Sequence, residues 1–159
     1  MDHKKTIQEC KGISRYSTAI VIYGLYILVG AGNYRQFLIM FKGLDPFLVY
    51  VIYFFTVLYG ISCLYCGVKI RKLEDWARKL MIIMTAISVA SGLFLNRIAI
   101  SNMRIYLLSG REAIPANVVE TVFISSVIIT AFTALFELSI IFFFTRPGVV
   151  REFSSESRD

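Results

Sequence analysis

The sequence predicts an all-α, polytopic membrane protein with four transmembrane helices in an up-down bundle. Hydrophobic residues make up 57% of the 159 residues and charged residues only 18%. A soluble domain of this length and composition would lack the polar surface to cover its core. Four apolar stretches each approach the ~20 residues that a membrane-spanning helix needs. We expect one domain, 1–159, with helices at about 17–40, 47–68, 80–100 and 118–144.

The positions of Lys and Arg predict that both termini are cytoplasmic, because positive charge accumulates in cytoplasmic segments. Basic residues concentrate before the first helix, between the second and third, and after the fourth: Lys4, Lys5, Lys11, Arg15, Lys69, Arg71, Lys72, Arg78, Lys79, Arg146, Arg151 and Arg158. Fewer fall on the opposite side: Arg35, Lys42, Arg97, Arg104 and Arg111. The net charge of +6 therefore indicates topology and contact with anionic lipids at the cytoplasmic face, not nucleic-acid binding.

The first helix is predicted to be retained as a membrane span. Its apolar part is longer than the central region of a cleavable signal peptide. Gly24, Gly30 and Gly32 permit close contact with a neighbouring helix, and Tyr34 with Arg35 suits the outer interface.

The second helix is predicted to begin at Asp45 and Pro46, an N-cap residue followed by a first-turn proline. The connection before it is short, so the first two helices form an antiparallel hairpin. Small residues recur along the second helix at spacings of four, three and four, which is the pattern of a packing seam: Thr56, Gly60, Cys63 and Gly67.

Cys63 and Cys66 form a Cys-x-x-Cys, which resembles the thiol pairs of quinone-linked disulfide generators such as the vitamin K epoxide reductase and DsbB families. Those families need the pair near the outer face, whereas this pair is expected near the cytoplasmic end of its helix. Only Cys10 remains as a partner, and a thiol relay needs a second pair. We expect buried packing roles and keep a membrane thiol redox protein as the minor alternative.

Two short motifs flank the later helices. Near the start of the third helix the chain carries Leu73, Trp76, Ala77 and Arg78, and after the fourth helix it reads Thr-Arg-Pro-Gly-Val over 145–149. In these motifs, Trp-x-Arg and Thr-Arg-Pro-x-Val, the chain resembles a broad group of small, uncharacterised four-helix membrane proteins of bacteria and archaea. The resemblance implies a prokaryotic inner (cell) membrane and no known activity. Trp76, Arg78 and Arg146 also suit membrane-interface anchors.

The fourth helix is predicted to open at Pro115 and Asn117. Asn117 and Glu120 have the spacing of a capping box. An alternative interpretation is that Glu120 pairs with Arg97, which would form a structural clamp that holds the outer ends of the third and fourth helices together.

Glu137 is the residue that the sequence singles out. It lies roughly 13 Å along the helix axis from Arg146, at about 1.5 Å per residue, and a carboxylate at that depth must face protein, water or a cation. Small polar residues share its side of the helix: Ser126, Thr130 and Thr133. One reading makes Glu137 a protonatable site for transport. The other makes it a hydrogen-bonded acid that ties the helix to Tyr59, Thr85, Ser88 or a partner subunit.

The remaining sequence offers little chemistry. The single histidine, His3, lies in the N-terminal segment, so we expect no metal site, and we expect no cofactor and no enzymatic activity. We predict a structural or accessory subunit that packs with other membrane proteins or with itself. The alternative is a small homo-oligomeric, proton-coupled transporter or channel that uses Glu137. In either case we expect a homo-oligomer or a larger membrane complex.

Overall fold

The computed structural model describes residues 3–108 and 116–155. In these ranges the chain forms six helices: α1 (His3–Ala31), α2 (Tyr34–Met40), α3 (Pro46–Arg71), α4 (Asp75–Leu108), α5 (Ala116–Phe144) and α6 (Pro147–Ser155). The described residues contain no strand. The prediction of an all-α chain is confirmed.

Three segments are long and apolar enough to cross a membrane: Gly12–Ala31, Pro46–Arg71 and Asn117–Phe144. A fourth candidate is a bent pair, Asp75–Gly92 and Phe94–Asn102, whose two parts differ in direction by 46°. Large apolar side chains cover the outer surfaces of these helices, and many of them are more than half exposed. The chain is therefore a helical protein with three to four candidate membrane-spanning helices.

The first predicted helix, 17–40, is divided in the structure. Helix α1 ends at Ala31, and Asn33 begins the separate, seven-residue α2 by accepting a hydrogen bond from the Gln36 amide at 3.3 Å. An asparagine side chain can satisfy a free amide at a helix start, so Asn33 favours a new helix over continuation of the old one. On the other side, α1 extends back to His3.

The predicted start of α3 is confirmed. Pro46 occupies the first helical position, and Asp45 Oδ1 accepts from the amides of Phe47 at 2.9 Å and Leu48 at 3.3 Å. The side chain thus satisfies two amides that the first turn of a helix leaves without a partner.

Helices α1 and α3 are antiparallel, and they pack closely where glycine residues face the other helix. A Cβ atom at Gly24 would lie 2.9 Å from both Cys63 Cβ and the Gly60 carbonyl oxygen, and one at Gly67 would lie 2.6 Å from Val21. Close backbone approach of this kind is how small residues join helices in membranes. Ser17 reinforces the contact, because its buried hydroxyl donates to the Gly67 carbonyl at 2.6 Å.

Helices α4 and α5 form the second antiparallel pair, and α3 packs on α4 between the two pairs. Helix α4 is longer than the predicted 80–100, since it begins at Asp75 and ends at Leu108. At its far end Asn102 donates to the carbonyl oxygens of Met40 and Lys42, both at 2.9 Å, and so fastens α4 to the segment after α2.

The core lies in the half of the protein next to α6. Its buried members are Ile13, Ile20, Tyr59, Cys63, Cys66, Ile70, Ala77, Met81, Ile140, Phe144, Val149 and Phe153. Helix α6 adds two of them, Val149 and Phe153, which lie four residues apart and so share one face. Helix α5 ends at Phe144, and Pro147 begins α6, because proline is well suited to a first helical position.

Candidate functional site

Glu137 lies in the middle of the helices and is only 4% exposed. Its Oε1 atom accepts three hydrogen bonds from three different helices. Tyr23 on α1 donates at 2.8 Å, Tyr59 on α3 at 3.2 Å and Ser88 on α4 at 2.8 Å. All four long helices therefore meet at one carboxylate oxygen.

Ring packing fixes the position of the two phenol hydroxyls. Tyr23 contacts Tyr59 edge to face, with ring centroids 6.3 Å apart, and contacts Phe136 in the same way at 5.2 Å. The Tyr59 hydroxyl also lies 3.4 Å from Thr85 Oγ1, and Thr85 is fully buried. The hydroxyls are thus held around Glu137 by rings that have little freedom to move.

These hydrogen bonds offset the free-energy cost of burying an acid in an apolar interior. A buried polar group without partners is unfavourable by several kcal/mol, on the order of 2–7. Three hydroxyl donors replace the water that the Oε1 atom of Glu137 loses. No described side chain donates a hydrogen bond to the Oε2 atom of Glu137.

A groove of about 390 Å³ begins beside this cluster, between α1 and α5. Its lining is aromatic and aliphatic with a single threonine: Tyr23, Tyr26, Ile129, Phe132, Thr133 and Phe136. Tyr23 belongs to both features, since its ring lines the groove and its hydroxyl donates to Glu137. The groove therefore reaches the neighbourhood of the acid from the side.

The polar side of α5 beyond Glu137 is half-buried. Ser126, Thr130 and Thr133 all have intermediate exposure. The Ser126 hydroxyl donates to the Val122 carbonyl in its own helix at 2.8 Å. Among the described residues these three hydroxyls make no hydrogen bond to another helix, in contrast to Glu137.

The small residues of α3 face α1. Gly60, Cys63 and Gly67 are buried against it, whereas Thr56 is half-buried and its hydroxyl donates to Ile52 O at 2.9 Å within α3. Cys63 and Cys66 are free thiols with no exposed surface. Both thiols are thus shielded from a reagent in solution in the described structure, and the redox alternative stays a prediction.

Arg97 and Glu120 are not brought together as an ion pair. Both side chains are exposed, and the ion pairs formed within 3–108 and 116–155 involve other residues. Asn117 lies inside α5, which begins at Ala116, so it does not occupy the N-cap position. Pro115 lies outside the described residues.

The three expected interface anchors occupy different environments. Trp76 is 44% exposed and donates from Nε1 to Glu74 Oε2 at 2.6 Å. Arg146 is exposed and places its guanidinium 4.6 Å from the Phe142 ring centroid. Arg78 differs from the expectation, because it is buried and turned into the protein.

Arg78 joins α4, α5 and α6. Its Nε donates to Asp75 Oδ1 at 2.8 Å and its Nη1 to the Phe144 carbonyl at 2.9 Å, while the guanidinium lies 5.6 Å from the Phe153 ring. A cation at the carbonyl end of α5 also complements the dipole of that helix. The residue is therefore part of the packing between helices.

Tyr23 was not expected from the sequence as a partner of Glu137. Tyr59 and Ser88 lie on helices that neighbour α5 in an antiparallel arrangement, but nothing in the sequence places α1 beside α5. From the sequence, Tyr23 and Tyr26 are equally plausible partners of Glu137, because both are tyrosines in the apolar part of α1. The rotation of α1 about its axis decides which of them faces Glu137. Within the described residues no group of three His, Cys, Asp or Glu side chains could hold a metal ion.

No protein-family model, curated protein or solved structure matches this chain. The likeness to small four-helix membrane proteins through Trp76, Arg78 and the 145–149 motif stays a prediction.

Proposed function

We propose that this chain is a four-span protein of the cell membrane, with both termini cytoplasmic, that serves as a structural or accessory subunit. It packs with other membrane proteins or with itself. The observation that carries this proposal is the internal use of Glu137, whose Oε1 is occupied by Tyr23, Tyr59 and Ser88. The most unusual intramembrane residue thus holds the helices together.

The outer surface supports a packing role. Val29, Phe47, Phe94 and Phe132 are each exposed by more than two thirds, and they lie on all four long helices. Aromatic and aliphatic surface of this kind contacts either lipid or another membrane subunit. The connections from α1 to α4 and from α5 to α6 are short.

The charged end supports the proposed orientation and the contact with anionic lipids. Exposed basic residues lie around the α3–α4 connection and on α6: Arg71, Lys72, Lys79 and Arg151. Trp76 lies at the same end and suits the interfacial aromatic belt. Anionic lipids at the cytoplasmic face attract such clusters by about 1 kcal/mol per basic residue.

Native mass spectrometry in mild detergent tests the proposed role. The chain should be purified from its own membrane with co-purifying subunits, and we expect a defined complex with other membrane proteins or with further copies. A sample that is monomeric at every detergent and protein concentration would contradict the proposal.

A second candidate, a homo-oligomeric proton-coupled transporter or channel, is favoured by the groove beside Glu137. Proton flux into liposomes is the test. Glu137→Gln keeps an oxygen acceptor for the hydroxyls but cannot exchange a proton near neutral pH, so it should abolish flux. The exposed Glu120→Gln is the matched control. Flux that survives Glu137→Gln excludes this candidate.

A further inference from the structure

We propose that Arg71, at the end of α3, binds the phosphate of one anionic phospholipid, whose acyl chains lie against the exposed apolar surface that α1 and α3 share. The site deepens the contact with anionic lipids proposed above and rests on it, because it replaces a general attraction by one saturable position. Three features carry it: a guanidinium fixed by two hydroxyls, the lack of an acidic partner among the described residues, and apolar rows that lead away from the guanidinium.

The Arg71 guanidinium is held in one orientation by α1. Its Nε donates to Ser17 Oγ at 3.1 Å and its Nη2 to Thr18 Oγ1 at 2.6 Å. Ser17 is fully buried and itself donates to the Gly67 carbonyl at 2.6 Å, so the acceptor for Nε is fixed. Thr18 likewise donates to the Ser14 carbonyl of its own helix at 2.9 Å. Arg71 is therefore a positioned donor and not a freely moving surface side chain.

One edge of this guanidinium is open to a ligand. The two hydroxyls occupy the edge formed by Nε and Nη2, and no described side chain accepts a hydrogen bond from Nη1. The edge formed by Nη1 and Nη2 carries two parallel N–H groups, whose spacing matches two oxygens of a phosphate. Because Arg71 is exposed, a phosphate can reach this edge from outside the protein.

Arg71 has no acidic partner among the described residues. The two acids that follow it in the chain, Glu74 and Asp75, form their ion pairs with other basic residues. Lys72, next to Arg71, is also exposed and adds positive charge. This part of the surface therefore has an excess of positive charge, which an anionic ligand would neutralise.

The end of α3 lies at the level of the lipid phosphates when α3 spans the membrane. Its candidate span, Pro46–Arg71, has 26 residues, which is roughly 38 Å at about 1.5 Å per residue. The hydrocarbon is about 30 Å thick and the bilayer with its headgroups about 40–45 Å, so Arg71 lies among the headgroups. Its side chain turns back towards the hydrocarbon, because Ser17 Oγ bonds both the guanidinium and the carbonyl of Gly67, one turn earlier. A phosphate stabilises a cation at this boundary.

Exposed apolar side chains continue from the guanidinium towards the middle of the membrane. One row follows Thr18 along α1 at spacings of four, three and four, and another precedes Arg71 along α3, so each row shares a helix face with a residue of the site. The members of both rows are more than half exposed: Ile22, Leu25, Val29, Ile61 and Val68. A phospholipid with its phosphate on Arg71 would lay its acyl chains along these rows, whereas a free phosphate ion would gain nothing from them. The surface therefore fits a lipid.

Fluorescence quenching by brominated lipids tests the site on the purified full chain in reconstituted membranes. Trp76→Phe removes the single tryptophan, and Ile22→Trp then places a reporter beside the proposed acyl chains. Leu138→Trp on α5 is the matched reporter away from this surface, since Leu138 is 49% exposed. Quenching by brominated phosphatidylglycerol is compared with quenching by brominated phosphatidylcholine at each reporter.

We expect phosphatidylglycerol to be preferred over phosphatidylcholine by about fivefold or more at Ile22→Trp, since the attraction of one basic residue for anionic lipid corresponds to about fivefold. The preference at Leu138→Trp should be clearly smaller. Arg71→Lys should abolish most of the preference at Ile22→Trp, because lysine keeps the charge but lacks the two parallel N–H groups.

Thr18→Val should also lower the preference at Ile22→Trp, because it removes an acceptor that orients the guanidinium. Thr145→Val is the matched control. Thr145 is likewise an exposed threonine, but among the described residues its hydroxyl bonds only carbonyl oxygens of α5, so its removal should leave the preference unchanged.

Equal preference at the two reporters, or a preference that Arg71→Lys leaves unchanged, would overturn the site and leave only a general attraction of anionic lipid to basic residues. Relief of the quenching by inorganic phosphate would also overturn it, because the ligand would then be a free anion. Both leaflets hold brominated lipid, so the result does not depend on the proposed orientation. Native mass spectrometry tests the accessory role through protein partners, so the failures of the two proposals are distinguishable.

Discussion

The hydroxyl of Tyr23 and the carboxylate of Glu137 are 114 positions apart in the sequence and are joined by a hydrogen bond of 2.8 Å. This bond links the first long helix to the last. Since Tyr59 and Ser88 donate to the same oxygen, one acid contacts each of the other three long helices.

Gly24→Ala should weaken the contact of α1 with α3. The added Cβ would lie 2.9 Å from the Gly60 carbonyl oxygen, and backbone cannot move aside cheaply, so we expect a loss of about 1–3 kcal/mol in the free energy of unfolding. Gly30→Ala on the same helix is the control, because no described atom beyond its own chain neighbours and the adjacent helix backbone lies within 4 Å of its Cβ position.

Reversible unfolding in mixed detergent micelles measures both glycine variants. Gly30→Ala should be neutral or more stable by roughly 0.5–1 kcal/mol, the gain of alanine over glycine within a helix. Equal stability of the two variants would show that α1 and α3 do not approach as closely as described.

Arg78→Ala should release α6. The substitution removes the donor to the Phe144 carbonyl and the cation beside the Phe153 ring, and a hydrogen bond from a charged group contributes about 1.5–3 kcal/mol. We expect faster trypsin cleavage after Arg151, on α6. Lys79→Ala is the control, since Lys79 pairs with the same Asp75 but is largely exposed. Unchanged cleavage in Arg78→Ala would contradict this role.

The coarse fold could be predicted from the sequence because its signals are local. The apolar lengths indicate the spans, and Asp45 with Pro46 marks the start of α3 from neighbouring residues alone. The division at Gly32 and Asn33 was missed, because apolar residues continue on both sides of it. Helix α6 is not predicted, because a proline and a glycine directly after an apolar span are typical of a helix end, although Val149 and Phe153 carry a helical spacing.

The partners of Glu137 could be predicted only in part. Its inward direction follows from the cost of an exposed acid in hydrocarbon, and Tyr59 and Ser88 were among the expected partners. Tyr23 could not be identified, because the neighbourhood of α1 and α5 depends on how two hairpins pack. The burial of the Arg78 side chain likewise depends on α6, a helix that the sequence does not predict.

Glu74 should titrate below its ordinary range. Lys69 Nζ lies 2.9 Å from Glu74 Oε1, and this hydrogen bond, with a further one from Trp76, lowers the pKa of the carboxyl. Its contribution to folding is therefore present above the ordinary pKa and is lost as the pH falls through the lowered one. Lys69→Ala should raise the pKa again.

A carboxyl-carbon NMR titration of wild type, Lys69→Ala and Lys72→Ala measures this shift. Lys72 is exposed and acts on Glu74 only through its charge, so its removal should matter less, and least at high salt. An unchanged Glu74 pKa in Lys69→Ala would refute the assignment.

The most direct test of the account is a double-mutant cycle between Tyr23→Phe and Glu137→Ala, read as reversible unfolding in mixed micelles. We predict that each change is destabilising and that the two are coupled by about 0.6 kcal/mol, the mean for hydrogen bonds between membrane helices, and by no more than about 1.7 kcal/mol, the largest such value. Leu138→Ala, an exposed neighbour on α5, should show no coupling to Tyr23→Phe. Strictly additive effects of Tyr23→Phe and Glu137→Ala would contradict the claim that Glu137 holds the helices together.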